Sequence, residues 1–119
     1  MKDLGVSVGL VKVPVTAFER ATQFYREVLG LEEEFAVQQY GWAQYKTGSM
    51  PLCLYVTGMG GGEGKPGGET GIQLRVRDAR AAHAGSGEVS DPDSGDDGSV
   101  GFAVRDPDGN SIGIIQVAE

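Results

Sequence analysis

Leu10-Val-Lys-Val-Pro-Val15 (LVKVPV) and Gly71-Ile-Gln-Leu-Arg-Val76 (GIQLRV) lie 61 residues apart, and laying one over the other decides the fold. In each, three aliphatic side chains alternate with other residues: Val11, Val13 and Val15 in the first, Ile72, Leu74 and Val76 in the second. A period of two marks a strand buried on one face. A second overlay, at an offset of 60, places Leu52-Cys-Leu-Tyr55 on Ile112-Gly-Ile-Ile115. Both halves therefore carry the same first and last strands at nearly the same separation, which predicts internal duplication. One copy is too small to bury a face of its own sheet, so two must cooperate.

Working outward, the alternation extends the first strand to Val6–Val15. Ala17–Leu29 then sets Phe18, Ala21, Tyr25, Val28 and Leu29 at helical spacing, with Gly30 placed to cap the C-terminus. Three strand-like runs follow, Glu34–Tyr40, Trp42–Thr47 and Leu52–Thr57, separated by Gly41 and by Gly48-Ser-Met-Pro51. Seven of the eleven residues from Gly58 to Gly68 are glycine, the composition of a flexible linker or surface loop. The second half reads as strand Thr70–Val76, short helix Asp78–Ala84, strand Ser99–Arg105, a tight turn at Asp106-Pro-Asp-Gly-Asn110 and a closing strand Ser111–Val117. The expected fold class is α+β: one domain over residues 1–119, with a first βαβββ module at 1–57, the linker at 58–68 and a second module at 69–119. The modules would form a curved, mostly antiparallel sheet around a cleft.

Composition narrows the function. With 17 acidic against 10 basic residues the net charge is -7, which argues against nucleic acid, because a phosphate backbone needs a basic footprint. No apolar run has the length of a membrane span, and the N-terminus lacks the apolar stretch of a signal peptide, so the expected location is the cytoplasm. One cysteine and one histidine, Cys53 and His83, are too few for a His/Cys zinc centre. The Gly62–Gly67 match to G-x-G-x-x-G is followed by no helix that would hold a pyrophosphate. Asp91–Gly98 is acidic but lacks the order of a calcium loop, and reads as a solvated connection or a negative rim attracting a cationic ligand.

Phe24-Tyr-Arg-Glu-Val-Leu-Gly-Leu31 and Asp106-Pro-Asp-Gly-Asn110, in register with the duplication, resemble the two most recognisable motifs of the vicinal oxygen chelate superfamily, which includes glyoxalase I, extradiol dioxygenases and bleomycin resistance proteins. The resemblance spans nearly the whole chain and implies the paired-module fold. Its metal enzymes take His, Glu or Gln ligands from the first and last strand of each module. Here those positions are Leu10, Cys53, Gly71 and Gly113, none of them His, Glu or Gln, and shifting the overlay by one residue supplies no carboxylate or imidazole. The resemblance therefore implies the fold, while the residues withdraw the metal chemistry: no metal, no cofactor and no catalytic residue is assigned.

If Val11, Val13 and Val15 pack under the helix, the period of two turns Lys12 to the cleft, together with Gln73, Arg75, Cys53 and Tyr55. Tyr40, Trp42 and Tyr45 are expected to add flat apolar surface for a ring-bearing ligand. The bland alternatives are that Lys12 and Arg75 reach solvent, that the aromatics are half-buried sheet residues and that Cys53 is a small buried hydrophobe. The functional expectation is a metal-free protein binding a small organic ligand, aromatic and cationic in type, with a drug-sequestering role like the resistance members and a homodimeric state. The alternatives are an enzyme of the same superfamily, of lyase, isomerase or dioxygenase type, acting without the usual metal ligands, and a pure interaction module.

Overall fold

The computed structural model of the chain describes residues 2–84, 93–96 and 98–117. Strand β1 (Val11–Val15) leads into helix α1 (Phe18–Gln23), which widens into π-helical turns at Phe24–Val28 before β2 (Glu32–Val37). A 3-10 turn at Gln38–Tyr40 joins β2 to β3 (Trp42–Lys46), followed by β4 (Pro51–Val56). The second half runs β5 (Glu69–Arg75), α2 (Ala79–Ala84), β6 (Asp93–Ser94), β7 (Val100–Arg105) and β8 (Ser111–Gln116). Each half forms its own four-stranded sheet, ordered β1-β4-β3-β2 and β5-β8-β7-β6. In both, the first strand runs parallel to the last while the remaining neighbours are antiparallel. The expected α+β architecture of duplicated βαβββ units is thus present, with the eight strands divided between two sheets.

The two faces of each strand follow the alternation. Val13 and Val15 of β1, Ala43 and Tyr45 of β3, and Leu52 and Leu54 of β4 are buried on the helix side with Ala21 and Tyr25. Phe102, Val104, Ile112 and Ile114 repeat this in the second half, and all of them belong to one continuous core. Fully burying a side chain of this size contributes roughly 1.5–3 kcal/mol. Asp106 and Asn110 of the expected tight turn are buried as well, and the turn closes through Gly109 N–H to the Asp106 carbonyl at 2.9 Å.

Several boundaries differ from the sequence reading. The expected strand Glu34–Tyr40 is β2 at Glu32–Val37, and Tyr40 stands on the 3-10 turn that follows it. The first strand starts at Val11 instead of Val6, because its parallel partner β4 starts at Pro51 and the register pairs Val11 with Leu52; among the described residues no strand lies beside the segment further upstream. The helix does not stay α-helical to Leu29: the Leu29 amide bonds the Phe24 carbonyl, five residues back, at 3.1 Å. Strand β6 falls inside the acidic stretch that reads as a solvated connection; Asp91, Pro92 and Asp97 of that stretch lie outside the described residues.

Candidate functional site

The face of the first sheet turned away from α1 carries two rows of side chains. Lys12, Cys53 and Gln44 stand side by side across β1, β4 and β3, and Pro14, Tyr55 and Trp42 form the next row. Gln44 Oε1 accepts from both neighbours in reach, the Trp42 indole at 3.3 Å and the Cys53 thiol at 3.4 Å. Lys12 Nζ lies 5.1 Å from the centre of the Tyr55 ring, a cation–π distance, and donates to the Gly61 carbonyl at 2.7 Å.

That last bond shows where the glycine-rich stretch goes. It folds back over this face, and its backbone lies so close to the rings that side chains would not fit. A Cβ on Gly61 would stand 2.7 Å from Tyr55 Cβ and 3.1 Å from Trp42 Cε3, and one on Gly62 would stand 2.8 Å from the Tyr55 ring. Thr57 Oγ1 donates to the Gly64 carbonyl at 2.7 Å and fixes the crossing. Tyr55, a large aromatic on the open side of a sheet, is only 6% exposed in consequence.

Beside the loop, Phe35, Val37, Tyr40, Trp42 and Met59 line an apolar pocket of about 380 Å³ whose remaining wall is Gly60 and Gly61. No charged side chain is among its lining residues. Tyr40, well exposed on its 3-10 turn, and Trp42 both contribute to it. Tyr45 goes elsewhere. Strand alternation sends it with Ala43 to the helix side, where it is fully buried, stacks on Tyr25 at 6.2 Å and has two acceptors in reach of its single hydroxyl proton, Glu33 Oε1 at 3.3 Å and the Thr22 carbonyl at 3.4 Å. Burial foremost, and then the Glu33 charge, raise its phenol well above the ordinary range, against an opposing effect of Arg26.

Gln73 and Arg75 are also apart from Lys12. They lie on β5 and line a second, larger cleft of about 720 Å³ between β5 and the Val11, Leu31, Met50 and Leu52 end of the first sheet. The eight sequence-derived positions are thus distributed over three places: Lys12, Cys53, Tyr55 and Trp42 on one face, with Tyr40 at its rim; Gln73 and Arg75 in the cleft between the halves; Tyr45 in the core. His83 packs edge-on against Phe102 at 5.1 Å. Phe35, Val37, Gln44 and Met59 escape the sequence reading. For Gln44 a signal exists, since it shares the parity of Trp42 in β3; for Met59 none does, because only the folded loop brings it to β2.

The four positions where a metal ligand set would stand do not fit a divalent cation. Leu10 has an aliphatic side chain, 39% exposed. Gly71 takes φ +73 at an irregularity in β5, a conformation that a side-chain ligand would strain, and Gly113 faces Gln73 across β8. Cys53 is the one donor, and its thiol is pushed up to about 11, by burial first and then by Glu34, with Lys12 opposing. It is therefore a protonated thiol at neutral pH and a poor metal ligand. Among the described residues no group of three His, Cys, Asp or Glu side chains converges to hold an ion.

Residues 7–114 match the model of the Glyoxalase/Bleomycin resistance protein/Dioxygenase superfamily. Among solved structures, the chain is similar to a member of that superfamily from Sphaerobacter thermophilus, with 26% identity over 93% of this chain and 97% of the other and a TM-score of 0.79. A lactoylglutathione lyase from Agrobacterium tumefaciens aligns at 20% identity over 96% of each chain with a TM-score of 0.74, and a glyoxalase/bleomycin resistance protein from Catenulispora acidiphila at 23% over 94% and 100% with 0.72. At these identities the last two show a shared fold. A search of the curated proteins found no match.

Proposed function

Because the chain belongs to the Glyoxalase/Bleomycin resistance protein/Dioxygenase superfamily, we propose that it is a member that binds a small organic molecule without a metal ion and holds it without transforming it. One observation carries this reading: the four ligand positions offer two glycines, a leucine and a protonated thiol, while the neighbouring face gathers Phe35, Tyr40, Trp42 and Met59 around an apolar pocket. A volume of about 380 Å³ lies at the small end of ligand sites and suits one or two fused rings. Stacking on Trp42 or Tyr40 adds about 0.5–1.5 kcal/mol to the burial of such a ring.

The ligand type we assign is aromatic and cationic. The net charge of -7 attracts a cation at long range, and the ring faces of Trp42, Tyr40 and Phe35 stabilise it at close range without a carboxylate in the pocket. We further assign a homodimer, supported by the exposed apolar N-terminal segment, and a location in the cytoplasm. No helix among the described residues is long and apolar enough to cross a membrane.

The test is calorimetric titration and thermal shift with a panel of planar aromatic compounds, cationic and neutral, against the wild type and Trp42→Ala. A cationic ring compound should raise the melting temperature and lose affinity about two- to tenfold in the variant, the effect of removing one stacking partner. Absence of binding across the panel sinks the reading, as does a stoichiometric metal ion in the purified protein or turnover of a bound compound.

A further inference from the structure

The glycine loop is tied firmly at its two ends and lightly in its middle. At the first end the Thr57 amide donates to the Val15 carbonyl at 3.2 Å; at the other, the Ser111 amide donates to the Gly68 carbonyl at 3.0 Å and the Gly67 amide to Asn110 Oδ1 at 2.8 Å. Between them the crossing puts no large side chain onto Tyr55: the ring is covered by the backbone of Gly61, Gly62 and Gly64. From the sheet, that backbone is held down by the Lys12 ammonium on the Gly61 carbonyl and the Thr57 hydroxyl on Gly64, while the Gly58 amide closes a turn within the loop on the Gly62 carbonyl at 3.0 Å and the Met59 amide bonds the Val56 carbonyl at 3.1 Å.

Lys12 is exposed, so its bond to Gly61 competes with water and breaks readily. When it breaks and the Thr57–Gly64 bond follows, three groups become available together: the ammonium itself, the Tyr55 ring beneath it and the inner face of Trp42. Closing reverses this and rebuilds the Gly60–Gly61 wall of the aromatic pocket. We infer that residues 58–68 are a releasable strap over the ligand-binding face of the first sheet, with Lys12 as its catch. A glycine-rich sequence suits both states: it permits the close approach when shut, and its freedom favours the open form. The strap's role in ligand entry rests on the function proposed above; its opening does not.

Trp42 is the sole tryptophan and touches the strap, so its fluorescence reports the opening directly. Acrylamide quenching of Trp42 and hydrogen exchange across residues 60–65 are to be measured in the wild type, in Lys12→Met, which keeps the aliphatic stem, and in Gly61→Ala, whose new methyl collides with Tyr55. Lys12→Met should raise the loop's opening equilibrium about fivefold, the ratio corresponding to one lost hydrogen bond, and Gly61→Ala should raise it through the clash with Tyr55, with exchange in β4 and β8 unchanged in both. Unmoved quenching and exchange in both variants, or acceleration spread over the whole sheet, overturns the strap. Stopped-flow binding of the neutral dye N-phenyl-1-naphthylamine should be faster in both variants. A dye that binds no form while quenching rises as expected overturns the ligand reading of this face and leaves the strap standing.

Discussion

The phenol of Tyr25 donates a 2.7 Å hydrogen bond to Oδ2 of Asp106, 81 residues further along the chain. This buried bond ties the helical segment of the first half to the turn before the last strand of the second. Asp106 is a hub: its Oδ1 accepts from the amides of Asp108 and Asn110 at 2.9 Å, and its Oδ2 also accepts from the Asn110 side chain at 2.9 Å. Asn110 in turn donates to the Pro14 carbonyl of β1 at 2.8 Å, and Asp108 receives the Thr16 hydroxyl and lies 3.7 Å from Arg20. The two halves share no hydrogen-bonded sheet, so this network is a principal polar connection between them.

Tyr25→Phe removes the donor and leaves the buried carboxylate with one partner fewer. Stability should fall by about 1.5–3 kcal/mol, the range for a hydrogen bond to a charged acceptor. Urea denaturation monitored by circular dichroism measures it. A change below about 0.5 kcal/mol, the level of an ordinary surface substitution, would remove Asp106 from its place as the tie.

Alkaline pH should weaken the fold. Burial first, and the Asp106 carboxylate second, raise the Tyr25 phenol far above its ordinary value of 10.0, and burial with Glu33 raises Tyr45 in the same sense. Above about pH 10 the unfolded chain releases these protons while the folded one retains them, so deprotonation favours unfolding. The stabilising contribution is complete below pH 10 and declines as pH rises beyond it. Urea midpoints measured from neutral to strongly alkaline pH should stay level and then drop, and the double variant Tyr25→Phe, Tyr45→Phe should show a shallower drop. An unchanged slope in that variant would locate the alkaline sensitivity elsewhere.

The duplication and the strand faces were legible because period-two alternation is a local property: Val13 and Val15 announce their burial, and so do Ile112 and Ile114. The same rule separates Trp42 from Tyr45, which differ in parity and face opposite sides of β3. Three features were not legible. The start of β1 depends on where its partner β4 begins, a non-local fact. The course of the glycine-rich segment depends on contacts that no glycine's own chemistry predicts, so its cover over Tyr55 appears only in the fold. The distance between Lys12 and the Gln73–Arg75 pair depends on how the two sheets sit, which alternation within each strand does not specify.

Cys53 should be slow to alkylate. It is fully buried, and burial first, then Glu34, pushes its thiol up to about 11, so little thiolate exists at pH 8. Iodoacetamide followed by mass spectrometry should show native protein largely unmodified at pH 8 under conditions that label urea-unfolded protein completely, with the native rate climbing toward pH 11. Prompt labelling of the native protein at pH 8 would place a reactive thiolate on the proposed ligand-binding face and reopen Cys53 as a nucleophile or metal ligand.

The N-terminal segment bears on assembly. Leu4, Val6, Val8 and Leu10 are 71%, 68%, 60% and 39% exposed; beyond Gly5, whose φ of +67 breaks the run, Val6, Val8 and Leu10 share one parity, so an extended backbone turns those three to a single side. Among the described residues they have no strand partner, since β4 begins at Pro51 and its pairing with β1 reaches only as far as Val11. An alternating apolar segment next to the unpaired edge of β1 is the kind of surface that a second copy covers, as the proposed homodimer requires. Sedimentation should therefore give the wild type a mass of twice 12.5 kDa. The double variant Val6→Asp, Val8→Asp places two charges at the contact without touching the core, and it should dissociate to the single-chain mass while its circular dichroism stays native. A wild type that sediments as one chain at high protein concentration, or a variant that remains paired, rules out this segment as the contact.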